Sequence, residues 1–371
     1  MRYTFLLLLT FVLKLATAQD HYMIVGTYDS PKSEGIYVFK FNSSTGTATE
    51  ISHIKTPNPS FITISPDKRF VYAVHEIAPQ GGKGGDIAAF SFDPRTGKLS
   101  FINQQLSGGD HPCHVELDKT GKWLFASNYS SGTLSVLPVR DDGSIGEATV
   151  IQHTGNGKDP QRQKGPHVHG AIISADNKQL LVTDLGIDKV MLYSFDASTG
   201  KLSTAEQPFA AAVPGSGPRL LTFSPDNQYA YVIEELSGTV VTYKYKKGKL
   251  EQKQRISTMP AGDSSFAGSA DIHISPDGKF LYASNRAEAN TIAIYSIDSD
   301  GELHFIAHQS TLGKAPRNFS LDPTGRFLLC ENQNSDEIVV FERNADTGLL
   351  ADTGNRIKVG RPVCIKWIER M

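Results

Sequence analysis

Apolar and polar residues alternate in short runs along the chain, and one such run recurs seven times: IYVFKFN from Ile36, IAAFSFD from Ile87, LSVLPVR from Leu134, VMLYSFD from Val190, VVTYKYK from Val240, IAIYSID from Ile292 and IVVFERN from Ile338. Alternation with a period of two predicts strands that bury one face. The starts are 51, 47, 56, 50, 52 and 46 residues apart, and most copies run into a polar turn carrying glycine, such as DPRTGKL or DSDGEL. A second fragment, typified by SPDGKFLYASN from Ser275, precedes six of the copies, with its turn residue at Asp67, Thr120, Asp176, Asp226, Asp277 and Thr324. Each unit therefore predicts strand, SPDG-like turn, strand, loop, strand, glycine turn, strand, which is a four-stranded antiparallel sheet.

Seven such units with a period near fifty predict an all-β chain folded as a seven-bladed β-propeller of four-stranded blades. The first unit lacks its leading strand, since YMIVGTY at Tyr22 matches the second strand of a blade. The missing strand is expected from the other end, where GRPVCIKWIE from Gly360 matches the leading strands KGPHVHGAII and GSGPRLLTF. Three N-terminal strands completed by one C-terminal strand would close the ring and remove the free sheet edges.

The first residues stand apart from the repeats. Arg2, the apolar stretch from Phe5 to Leu13 and the small residues Ala16-Thr17-Ala18 form a secretory signal pattern, so residues 1–18 are expected to be a leader cleaved near Ala18. Lys14 keeps the apolar run well below the roughly 20 residues of a membrane span, so export to the periplasm or medium is expected, without a membrane span. Residues 19–371 are expected to form a single propeller domain, which grows by adding blades. The net charge of −2 gives no reason to expect nucleic acid. The basic run KYKKGK from Lys244 falls on a predicted hairpin turn. Cys113, Cys330 and Cys364 fit neither a zinc site nor a disulfide framework and are expected as buried thiols, although Cys330 and Cys364 lie on neighbouring predicted blades where one bridge is conceivable. Three glycosylation patterns, at Asn42, Asn128 and Asn318, are taken as chance. No nucleophile elbow, phosphate-cradling glycine loop, haem motif or zinc pair is present, and no cofactor is expected.

Propellers take ligands where the inner strands open onto the central channel. Seven places before the turn residue, the leading strands carry Ser60, Cys113, His169, Arg219, Ala270 and Arg317; eight places after it stand His75, Asn128, Asp184, Glu234, Asn285 and Asn332, followed in three repeats by Glu76, Glu235 and Arg286. A hairpin begins where its return strand ends, so both sets are expected at one mouth of the channel. Asn and Asp at strand ends also make turns that bond their own backbone. Charged groups converging on one mouth must pair internally or receive a ligand of opposite charge.

At these residues the chain resembles the lactonase family of seven-bladed propellers, which includes propeller-type bacterial 6-phosphogluconolactonases and fungal carboxy-cis,cis-muconate cyclases. The motifs that carry the resemblance are GPHVHGA (165–171), TDLGIDKV (183–190), GPRLLTFSPD (217–226), EEL around Glu235, SADIHISPDGKFLYASNR (269–286) and APRNF (315–319). The resemblance implies a catalytic set of His169, Glu235, Arg219 and Arg286, with His167, His273, Arg317, His114, Asn128 and Asp184 against the substrate. It implies hydrolysis of a small-molecule lactone, anionic because several arginines share the mouth. Opening a lactone needs an activated water and a stabilised oxyanion. His169 is suited to activate the water and the guanidinium groups to hold the negative charge, while Glu235 would orient His169, pair with an arginine, or act as base itself. A phosphorylated sugar lactone from the cytoplasm conflicts with an export signal, so an unphosphorylated aldonolactone is an equal expectation. Three other readings stay open: a calcium-dependent lactonase using the Asp184, Glu234 and Asn ring, a lactonising enzyme like the muconate cyclases, and an exported propeller that only binds.

Overall fold

Seven four-stranded antiparallel sheets are arranged around a central channel in a computed structural model, which describes residues 20–77, 84–263 and 265–370. The expected leader at 1–18 lies outside the described residues. Six sheets take their strands in sequence order, and the seventh has the order Pro362–Glu369, Asp20–Thr27, Ile36–Asn42, Thr47–Ile54. The C-terminal strand pairs antiparallel with the N-terminal one, Tyr22 opposite Ile368 and Ile24 opposite Lys366, which closes the ring as the repeats predict. This composite sheet is blade 1; blades 2 to 7 span residues 62–106, 112–152, 168–211, 218–257, 269–310 and 316–358. Among the described residues the single helical element is the short 3-10 turn Gln333–Ser335.

The SPDG-like turn is built from its own side chains. In Ser224-Pro225-Asp226-Asn227 the serine hydroxyl donates to Asp226 Oδ1 at 2.6 Å and accepts the Tyr229 N–H at 3.0 Å, while Asn227 takes a left-handed backbone with φ 58°. Glycine at the corresponding Gly278, φ 73°, adopts that conformation without a Cβ penalty. Thr120 and Thr324 reach the same end differently, each donating its hydroxyl to the aspartate two residues earlier.

Packing comes in seven clusters, each shared by two neighbouring blades. Phe327, Leu329, Ile338 and Val340 of blade 7 meet Met23, Val25, Tyr37, Phe39 and Ile365 of blade 1, so the closing strand is buried in a core rather than merely hydrogen-bonded. At about 1.5–3 kcal/mol per fully buried large apolar side chain, each such wedge is a substantial stabiliser. The wedges face sideways, and the inner strand edges are therefore left to line a channel. Cys113, Cys330 and Cys364 are all buried and unbridged; the conceivable Cys330–Cys364 bridge is not formed. No helix among the described residues is long and apolar enough to cross a membrane.

Candidate functional site

The inner strands open at the mouth with a repeated irregularity. In blade 4 Val168 pairs with Asp184 and Gly170 with Thr183, leaving His169 as an extra residue; in blade 5 Pro218 pairs with Glu234 and Leu220 with Ile233, leaving Arg219. Cys113 and Arg317 are the extra residues of blades 3 and 7, and blade 6 sets Ala270 and Asp271 against Ser284. A bulge re-aims the side chain it carries. Here it turns Cys113, His169, Arg219 and Arg317 into one small pocket, which Ser60 also lines. Close blade packing supports the arrangement: a Cβ on Gly170 would stand 3.1 Å from the Arg219 carbonyl oxygen, and the Thr183 hydroxyl donates to that oxygen at 2.6 Å.

A second ring of residues lies just past the return strands. The N–H groups of Tyr28, Glu76, Tyr129, Leu185, Glu235, Arg286 and Gln333 donate to the carbonyls of Arg361, Asn58, His111, His167, Gly217, Gly268 and Ala315, at 2.8 to 3.4 Å. Glu235 is 5 % exposed and lies at the centre of the charge. Its Oε2 accepts from Arg219 Nε at 3.0 Å and meets Arg286 Nη2 at 2.8 Å, and its Oε1 accepts from Arg162 Nη2 at 2.6 Å. Burial alone would raise its pKa, but the charges of Arg286 and Arg219 overcome that and hold the carboxyl well below the usual range. Arg219 also donates to the Ala270 carbonyl, and Arg286 Nε to the Gly268 carbonyl at 2.8 Å, so both guanidinium planes are fixed from two sides. Burial, with Arg286 and Arg317 nearby, brings Arg219 down to about 10, which leaves it charged at neutral pH.

His169 is 4 % exposed, with its ring edge-on to Tyr129 and its Nδ1 buried without a hydrogen-bond partner. Burial and the charge of Arg219 hold its pKa well below the ordinary histidine value, so the ring is neutral at neutral pH. On the other side of the mouth, Glu76 accepts from the Tyr28 hydroxyl at 2.7 Å and from Ser60, and faces Arg317 at 3.7 Å.

Not every residue expected at the mouth is there. Asn128 is fully buried, its amide donating to Thr133 Oγ1 and Ser135 Oγ at 3.0 Å inside its own blade. Asp184 is fully buried as well, bonded to His153 Nδ1 at 2.7 Å and accepting the His167 N–H at 2.7 Å. Both are corrections, and the physical reason is strand alternation: neighbouring residues face opposite ways, so the residue one place further on points into the mouth. The same holds for Glu234, paired with Arg255 at 2.7 Å, and for Asn285 and Asn332, whose amides donate to loop carbonyls. The ring on which a calcium site was conceivable is thus turned into the blades rather than toward the mouth.

His273 forms no ion pair with Glu235 or Glu76: its partner is Asp271, at 2.9 Å, and its ring packs edge-on to Phe319 between blades 6 and 7. His167 does border the site, stacked on Tyr129 at 4.4 Å with Nδ1–H donating to the Tyr129 carbonyl at 2.9 Å. His114 lines the pocket floor beside Phe61, where burial pushes its pKa down to about 3.

Tyr28, Tyr129 and Arg162 escaped the sequence reading. Tyr129 shares the repeat position of Glu76, Glu235 and Arg286, so the register contained the signal. Arg162 comes from the loop before Val168, which the widest repeat spacing, 56 residues, marks as an insertion. Gln163 pins that loop by donating to the Leu185 carbonyl and to Asp188 at 2.8 and 2.7 Å.

Comparison with known proteins agrees with this geometry. A family model described as "Lactonase, 7-bladed beta-propeller" matches residues 22–367. The 6-phosphogluconolactonase of Bacillus subtilis is 35% identical over 352 residues, 94% of this chain and 98% of that protein. That of Formosa agariphila is 40% identical over 334 residues, 88% of this chain and 94% of that protein. The structure of the periplasmic gluconolactonase of Pseudomonas aeruginosa superposes with a TM-score of 0.91 at 36% identity, covering 95% of this chain and all of that one. The chain therefore belongs to the seven-bladed β-propeller lactonase family.

Proposed function

We propose that the protein hydrolyses an anionic sugar-type lactone at this mouth without a metal ion, and that His169 is the general base. The observation that carries the reading is a buried, neutral histidine sharing one pocket with Arg219, whose partner Glu235 also binds Arg286 and Arg162. His169 takes a proton from water as the water oxygen bonds to the lactone carbonyl carbon. The carbonyl oxygen becomes an oxyanion, and Arg219 and Arg286, already aimed by Glu235, stabilise it without reorganisation. The carbon to ring-oxygen bond then breaks, the imidazolium returns its proton to the departing oxygen, and the product is an open hydroxy acid that ionises in solution.

Glu235 is assigned to positioning rather than to proton transfer, because Arg162 occupies its Oε1 and Arg219 and Arg286 its Oε2, whereas His169 Nδ1 has no partner. Charge supports an anionic substrate: among the described residues, Arg162, Arg219, Arg286 and Arg317 form ion pairs only with Glu235 and Glu76. That excess of positive charge also disfavours a cation. Relatives named for 6-phosphogluconolactone and for gluconolactone support a sugar lactone, and the first of these is anionic. The leader pattern at 1–18 supports action after export, and N-terminal sequencing of the protein from fractionated cells tests it.

The deciding experiment is lactone opening above the spontaneous rate, with 6-phosphogluconolactone beside gluconolactone, for the wild type and His169→Ala in the presence of chelator. A chelator-resistant rate lost in the variant is expected. A rate that chelator abolishes, or that His169→Ala leaves intact, would sink the mechanism.

A further inference from the structure

Arg361 stands just before the closing strand, at the position whose carbonyl accepts the Tyr28 N–H. Its counterparts in other blades are Asn58, His111, His167, Gly217, Gly268 and Ala315, and all but His167 share its positive φ. Asn and Gly tolerate the left-handed region, whereas a long side chain is held there, at φ 45° for Arg361, against its preference.

The side chain goes to the mouth. Its guanidinium carbon is 5.3 Å from the centroid of the Tyr28 ring, and the guanidinium carbon of Arg317 is 5.3 Å from the same centroid. Among the described residues no carboxylate lies within ion-pair distance of Arg361, and its one side-chain hydrogen bond goes to the Asp29 carbonyl at 3.4 Å. Asp336 is close, but it receives the Arg361 backbone N–H on Oδ1 and Lys32 on Oδ2. Glu76 faces Arg317 and is the one carboxylate bonded to Tyr28, so this tyrosine carries two cations against a single anion.

Blade 1 lies three blades from blade 4 in a ring of seven, which puts Arg361 and His169 on opposite sides of the ring. We propose that Arg361 holds the anionic substituent of the substrate while the lactone carbonyl lies against His169 and Arg219, and that it thereby selects charged lactones over neutral ones. The inference rests on the lactonase reading above and adds a specificity residue to it.

Arg361→Gly tests this without adding strain, since glycine suits the backbone, and Arg361→Lys keeps the charge without the fork. KM for 6-phosphogluconolactone should rise about 10-fold to 100-fold in Arg361→Gly, the worth of one charge-assisted contact. The ratio of kcat/KM for that lactone over neutral gluconolactone should fall about as far, with partial recovery in Arg361→Lys. Equal loss on both lactones, or no change in the ratio, would overturn the proposal. Should the wild type open neither lactone, the lactonase reading fails and calorimetry with 6-phosphogluconate still decides. Binding weakened about tenfold or more in Arg361→Gly upholds the anion subsite, and unchanged binding removes it.

Discussion

Arg219 donates through Nε to Oε2 of Glu235 across 3.0 Å, and both side chains are almost wholly buried. They come from the two strands of one hairpin, Arg219 from a bulge and Glu235 from just beyond the return strand. The pair orients a guanidinium and sets the electrostatics of the mouth, because the same carboxylate also holds Arg286 and Arg162.

Glu235→Gln keeps the shape but removes the charge that three guanidinium groups share. Lactone kcat should fall about 100-fold or more as the arginines lose their aim. Leaving Arg219 buried and uncompensated should also lower stability by about 3–5 kcal/mol, read by denaturant unfolding. A normal kcat in a destabilised protein would reduce Glu235 to a purely structural part.

The pH dependence follows from His169. A base must be unprotonated, and burial beside Arg219 lowers its pKa, so kcat/KM for a neutral lactone should stay level through pH 6.5 and fall only well below it. Stability moves in the same direction. His169 and His114 are held neutral in the fold, the latter down to about 3, whereas the unfolded chain protonates near 6.5. Each pH unit below 6.5 should therefore cost about 1.4 kcal/mol per such histidine until its folded pKa is reached. An acid limb centred at 6.5 or above would remove His169 from the role of base.

Asp184 separates structure from chemistry. Asp184→Ala breaks its buried contact with His153 and frees the His167 N–H, and should lower stability by about 3–5 kcal/mol. At a temperature where the variant is folded, its KM should match the wild type within about twofold, since the side chain does not reach the mouth. A large rise in KM would return Asp184 to the substrate site.

The three cysteines should be silent in the native protein. Burial raises the pKa of Cys113 and Cys330 far above that of a free thiol, and that of Cys364 to about 12, so thiolate is scarce at neutral pH. A thiol reagent should find all three only after denaturation, and a reductant should leave the melting temperature unchanged. Labelling of Cys113 in the native state would show that the floor of the mouth opens.

Sequence alone determined the number of blades, their strand order and the closure of the ring, because alternating burial and turn chemistry are local and repeat seven times. It also brought His169, Arg219 and Arg317 to one level, since residues at one repeat position occupy one height in the ring. The tertiary structure decided which neighbour points inward. A one-place difference reverses the face of a strand, which sent Asn128 and Asp184 into the blades and brought Tyr129 to the mouth, while unpaired bulge residues turned His169 and Arg219 toward the channel. Arg162 and Arg361 lie in connecting segments, where no periodicity fixes direction. Only the inserted loop and the segment before the closing strand placed them beside Glu235 and Tyr28.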